Sequence, residues 1–237
     1  VEPLLWDEQH LVESFKKAIE AGFNIHIHCM GDRAQKVAVD ALIEAQKLDP
    51  EHKLRNIIAH NMLVDPADII RMGENDIIAN VQPLWMNDNE VNDPAIASVF
   101  GLEQQKRFYP FKSFVDAGVV CANGSDFSVN LPDPFAAIQI AMTRKNVATD
   151  KTWYELCKDV PAMNPAECVT LNDVVKALTI NVAYQLHMED VTGSIEVGKS
   201  AELVILDGDL ENTPVEDICK LNVIETIIKG KTEYKAK

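Results

Sequence analysis

The chain has 237 residues, 47% of them apolar and 25% charged, with a formal net charge of −15 and a pI of about 4.7. That apolar share excludes a disordered chain, and the acidic balance argues against nucleic acid and anionic membrane surfaces as partners, because both repel it. Five cysteines stand apart at positions 29, 121, 157, 168 and 219 with no CxxC, and no run of about 18 apolar residues occurs, so the expectations are no disulfide framework, no structural zinc cluster, no membrane span, no signal peptide and a reducing cytoplasm.

In chain order, apolar residues at 11, 12, 15, 18 and 19 predict a helix over 7–21, ended by Gly22. A short buried strand is expected from Phe23 to Cys29, followed by the turn Met30-Gly-Asp-Arg-Ala34, where Asp32 is placed to cap the helix over 33–47. Asn56 to His60 is a second apolar run, Pro66 opens a helix to about Met72, and Asp76 to Gln82 is a third strand stopped by Pro83. Residues 84–107 form a long loop with Trp85, of the length that is functional or mobile. A short helix over 111–117 then leads to a fourth strand, Val119 to Asn123, and to Gly124-Ser-Asp126. Pro134 opens a helix through about Arg144, residues 145–170 are irregular with Trp153 among them, and 171–186 is one strong helix.

The tail changes character. Gly193 to Lys199 and Ala201 to Asp207 are expected strands around a glycine turn, and Val223 to Lys235 a hairpin turning at Gly230-Lys231. The expected domains are therefore a β/α part over 1–190, with four units and a parallel sheet, and a small β part over 191–237. A full eight-unit barrel needs roughly 200 residues at the least, so this chain holds about half of one. Position 1 is Val rather than Met, so either the chain was processed or it is a piece of a longer protein.

Three of the four strands end in residues of metal-ligand type: His28, His60 and Asp126. Parallel strands bring their C-terminal ends to one rim, where ligands bind in sheets and barrels of this class. Two imidazoles and a carboxylate suit a divalent ion such as zinc with a bound water. Asp126 could ligate the ion or take the proton of the water and pass it to a leaving group. Taken singly, each histidine has a plain structural reading as a hydrogen-bonded strand end, and Asp126 as a cap or turn residue; the joint pattern argues for a site. His26 shares a face with His28 by strand alternation and is assigned to packing or support. His10 and His52 are assigned to solvent, His187 to a helix C-terminus, and Asp32 and Arg33 to the turn.

Four segments, Ile25-His-Ile-His-Cys-Met-Gly-Asp-Arg-Ala34, Ile57-Ile-Ala-His60, Gly124-Ser-Asp126 with Asp133-Pro134, and Gly193-Ser-Ile-Glu-Val-Gly-Lys-Ser-Ala-Glu-Leu-Val-Ile-Leu-Asp207, resemble the amidohydrolase superfamily, in its YtcJ-like metal-dependent hydrolases. The resemblance implies an α/β fold, the C-terminal part of a distorted (β/α)8 barrel (strands 5 to 8), with part of a small β-sandwich. It makes His28 the metal ligand of the fifth strand, aligns His60 with the sixth-strand histidine, and aligns Asp126 with the eighth-strand aspartate. It implies hydrolysis of non-peptide C–N bonds in amides or cyclic amides, with one or two ions, zinc foremost. His60 would hold a second ion or hydrogen-bond the water. The first-strand His-x-His and the fourth-strand Lys or Glu of such enzymes have no counterpart here. The expected partners are a small-molecule substrate and either the missing N-terminal half or a second copy. The alternatives are a non-catalytic fragment or assembly module, and a deaminase acting on a ring amidine. Specificity is expected in the loops 84–107 and 145–170.

Overall fold

The computed structural model describes residues 4, 6–87, 98, 101–147 and 161–237. These fall into two compact units, residues 1–81 with 106–122, and residues 82–105 with 123–237.

The first unit begins with α1 (Glu8–Glu20), whose N-terminus is closed by the Asp7 carboxylate accepting from the His10 amide at 3.0 Å. Its buried stripe is Leu11, Phe15 and Ile19, and Gly22 leaves the helix at φ +79°, a conformation glycine enters without steric cost. Strand β1 (His26–Cys29) leads into α2 (Asp32–Gln46), which turns Ala38, Val39, Ala41, Leu42 and Ala45 inward. Strand β2 (Ile57–His60) is followed by α3 (Pro66–Glu74), which has proline at its first position and Asp65 accepting from the Ala67 amide at 2.9 Å. Strand β3 (Ile78–Val81) completes the inner sheet. The chain continues through the short helices α4 (Leu102–Gln105), which falls in the second unit, and α5 (Phe111–Asp116), and then β4 (Cys121–Asn123).

The sheet order is β1-β2-β3-β4. β1 pairs with β2 and β2 with β3 in parallel, His28 opposite Ala59 and Cys29 opposite His60. Every residue of β2 and β3 is buried. The strands are shorter than their apolar runs because the leading residues are bound elsewhere. The Phe23 amide returns to the Ala18 carbonyl, Ile77 to Met72 and Val119 to Phe114, all at 2.9–3.0 Å. The expected buried strand from Phe23 therefore starts at His26, with Phe23 66% exposed. Asp32 does not cap α2 as expected. Gly31 holds that position without a side-chain bond, and Asp32, already inside the helix, accepts from the adjacent Arg33 amide at 2.8 Å.

In the second unit, Pro83–Trp85 is a 3-10 turn, so the start of the expected 84–107 loop is structured. Helix α6 (Pro134–Thr143) is capped by Asp133 and buries Ala136, Ala137, Ile138, Ile140 and Ala141. Arg144 ends it in the left-handed region, fully buried, with its Nε donating to the Met163 carbonyl at 3.0 Å. The single helix expected over 171–186 is two: α7 (Leu171–Leu178), opened by a reciprocal Thr170–Asp173 capping box, and α8 (Ile180–Gln185). Thr179 breaks it at φ −126°, ψ −94°, where Gly193 lies so close that a Cβ there would stand 2.6 Å from the Ala183 Cβ and 3.0 Å from the Ile180 Cα.

The tail sheet consists of β5 (Leu203–Leu206), β6 (Val223–Ile228) and β7 (Lys231–Lys235), antiparallel in the order β5-β6-β7. The hairpin turns at Lys229-Gly230, both at positive φ, one residue before the expected position. Gly193 to Lys199 is not a strand. Its polar groups close on one another, Lys199 Nζ donating to Ser194 Oγ at 2.6 Å and the Lys199 amide to the Glu196 carbonyl at 3.2 Å, so the alternating pattern has no ladder to join. Trp153, Cys157 and much of the expected 84–107 and 145–170 loops lie outside the described residues.

Candidate active site

Strand alternation predicts the faces of the inner sheet. Parallel partners in register point to the same face, so His28 goes with Ala59 and Asn80, and Cys29 goes with His60. Cys29 is buried on the helix-covered face, with its Sγ 3.7 Å from the Ala34 carbonyl, and burial pushes its thiol up to about 12. A regular strand would send the His60 ring to that same face. It does not go there. His60 sits at φ +74°, and the left-handed turn swings its imidazole across to His28. The two rings meet edge to face, with centroids 4.3 Å apart and planes at 68°.

His28 is exposed and His60 only 8% so, which puts the pair at the mouth of the strand ends rather than in the core. His26 also presents an exposed edge on the His28 face, yet desolvation by its surroundings lowers its pKa and favours the neutral ring. Neutral imidazoles are the form that donates a lone pair to a metal. Cys29 remains a protonated thiol at neutral pH and faces away, so it does not compete.

Asp126 belongs to the second unit, half-buried after the β4 strand end. It too is left-handed, at φ +56°, with its carbonyl accepting from the Val129 amide at 2.7 Å. The adjoining Asn123-Gly124-Ser125 lines a cavity of about 290 Å3 with Asp133, Pro134, Leu84 and Leu178. The structure thus brings two of the three expected residues together, His28 and His60, and places Asp126 beside a cavity of its own unit. Among the described residues, no group of three or more His, Cys, Asp or Glu is arranged to hold a metal ion. The histidine pair fits two nitrogen positions of a zinc-type donor set, which takes three or four ligands in all. His10 stacks on Trp6 with ring centroids 5.6 Å apart, exposed His52 lies 3.1 Å from Asp76, and His187 follows α8 in a left-handed turn, its amide bonded to the Tyr184 carbonyl; these are the peripheral places expected of them.

Sequence reasoning missed Asn61 and Gln35. The Asn61 amide donates to the Cys29 carbonyl at 3.1 Å, its Nδ2 to the Ile58 and Asn80 carbonyls at 2.8 and 3.2 Å, and its Oδ1 accepts from Gln35 Nε2 at 2.7 Å. An asparagine directly after a strand histidine was a usable signal, since it enters the left-handed region readily.

A profile described as the amidohydrolase family matches residues 2–234. The chain is 25% identical to the "Putative amidohydrolase YtcJ" of Bacillus subtilis over 96% of its own length and 40% of the relative's. It is 25% identical to the "N-substituted formamide deformylase" of Arthrobacter pascens over 92% of its own length and 38% of the relative's. A solved structure titled as an uncharacterized metal-dependent hydrolase from Pyrococcus horikoshii OT3 superposes with a TM-score of 0.69 at 24% identity, covering 90% of this chain and 39% of that one. The chain thus spans about two fifths of the length of these relatives.

Proposed function

Since the chain belongs to the amidohydrolase family, we propose that it carries part of the active site of a metal-dependent hydrolase acting on non-peptide C–N bonds of amides or cyclic amides. The observation that carries this reading is the meeting of the His28 and His60 rings at a strand end turned left-handed at His60. The formamide deformylase relative supports the bond class. When bound, a divalent ion such as zinc supplies a hydroxide nucleophile at neutral pH, by lowering the pKa of a coordinated water to about 7. His28 and His60 would hold the ion through their ring nitrogens. Asp126 contributes a carboxylate, as a further ligand or as the base that takes the proton of the water. In the second role it returns that proton to the nitrogen as the C–N bond breaks, so the products are a carboxylic acid and an amine.

In this reading residues 1–190 supply strands 5 to 8 of a barrel and 191–237 strands of a β-sandwich. The chain works with an upstream half or a second copy on a small-molecule substrate. None of the four described cysteines, 29, 121, 168 and 219, is in a disulfide, and in this reading the chain works in a reducing cytoplasm. Among the described residues no helix is long and apolar enough to cross a membrane.

The test is metal uptake and hydrolysis of an N-formyl amine and of a cyclic amide, by the 237-residue chain and by a form extended upstream with a His-x-His segment. The expected result is Zn2+ binding that His28→Ala and His60→Ala each weaken, and hydrolysis in the extended form that Asp126→Asn abolishes. Binding indifferent to both histidines would overturn the site. Binding without hydrolysis in either form would reduce the chain to an assembly module. Ammonia released from a ring amidine would move the reaction to deamination.

A further inference from the structure

The ring contact in the candidate site depends on a backbone conformation that carries a cost for any residue with a Cβ, histidine included. At φ +74° His60 is followed by Asn61 at φ +51°, two consecutive left-handed residues at the end of a fully buried strand. Such conformations persist only where the surroundings over-determine them. Asn61 is 1% exposed and is bound from four sides: to the end of β1 through its own amide, to β2 and β3 through Nδ2, and to α2 through Gln35.

Gln35 is the informative member. It is fully buried, its Nε2 donates to Asn61 and lies 3.5 Å from the Met72 Sδ, yet its Oε1 has no hydrogen-bond partner. A buried carbonyl oxygen without a partner is a net loss to the fold. An apolar side chain of the same length would fill the space without that loss. What the amide adds is its donor end, and that end is spent on Asn61.

We propose that Gln35 and Asn61 form a clamp that holds the β2 strand end in its left-handed turn and so sets the His60 imidazole against His28. This rests on the reading of that pair as metal-binding, and it assigns Asn61 and Gln35 as positioning residues that do not touch the ion. Without the clamp the strand end is free to return to extended backbone, which carries the His60 ring toward the Cys29 face.

Two variants of the 237-residue chain test it. Asn61→Gly tolerates the positive φ but loses the three side-chain bonds. Gln35→Met removes the donor to Asn61 together with the partnerless Oε1, so its thermal midpoint is expected to change little. In metal-free protein, the nuclear Overhauser contact between the His28 and His60 rings should be strong in the parent chain and weak in both variants. Zn2+ affinity should fall by about tenfold or more, the range for residues that orient a ligating histidine from behind. Should Asn61→Gly fail to fold, Gln35→Met decides alone. A ring contact and Zn2+ affinity that survive in the folded variants would overturn the clamp. If instead His28→Ala and His60→Ala leave Zn2+ binding untouched, the metal reading falls, and the metal-free ring contact alone judges the clamp.

Discussion

Ile57-Ile-Ala-His60 of β2 and Leu203-Val-Ile-Leu206 of β5 are both four-residue apolar runs, and every residue of the first is buried whereas none of the second is. β2 lies between two parallel neighbours in a sheet whose connecting helices carry apolar stripes. β5 pairs only with β6, and the tail carries exposed Val204, Ile205, Ile224 and Ile228, with Ile195 and Val197 on the preceding turn. Apolar content is therefore a poor guide to burial in this chain. Coverage by a second layer decides it, and one face of an antiparallel sheet can stay open to water.

The comparison can be broken most sharply in its cores. Ile58→Ala, at a fully buried position, is expected to cost about 2–4 kcal/mol, and Ile205→Ala, 42% exposed, less than about 0.5 kcal/mol, both read by urea unfolding. Equal losses would mean that the tail sheet has its own cover in solution. Exposure in the tail does not make all of it tolerant. Gly193→Ala should cost about 2 kcal/mol, because φ is +92° and the new Cβ would meet Ala183 and Ile180. A neutral result would show the break at Thr179 to be movable.

Electrostatics sharpen the same contrast. Arg71 on α3 bonds to Asp68, whose side chain is only 6% exposed, and to Asp40 of α2. Removing it in Arg71→Met leaves a buried carboxylate short of its partner and should cost about 2 kcal/mol. The loose Lys235–Glu225 pair of the tail, at 3.9 Å, should cost nothing measurable when Lys235 becomes Met. A small, pH-dependent effect is expected at Glu44, whose carboxyl is held down to about 2 by Lys47 and Lys16. A depressed carboxylate stabilises above its unfolded pKa of about 4.3 and loses that contribution as pH falls toward the folded value. Glu44→Gln should therefore remove part of the fall in thermal midpoint between about pH 5 and about pH 2, and high salt should mimic it because the group is exposed.

Much of the fold could be read from residue order. The helices around 7–21, 33–47 and 66–72, with Gly22, Asp65 and Pro66 at their ends, follow from local pattern and capping chemistry, which need no knowledge of distant residues. The helix expected over 171–186 breaks at Thr179, where Gly193, more than a dozen residues downstream, packs against Ile180 and Ala183, a neighbour that local pattern does not show. The 193–199 strand was misjudged because alternation shows a face without showing a partner.

At the candidate site, His28, His60 and Asp126 stood out in the sequence as ligand types at strand ends, and strand order alone suggested their rim. Sequence periodicity could not show that register sets His60 to the wrong face, nor that two left-handed residues, bound by Asn61 and the buried Gln35, turn it back. Side-chain chemistry and local pattern are properties of neighbouring residues, so the chain order carries them. The aim of one ring depends on hydrogen bonds among α2 and three strands, and those bonds exist only once the tertiary structure has brought the segments together.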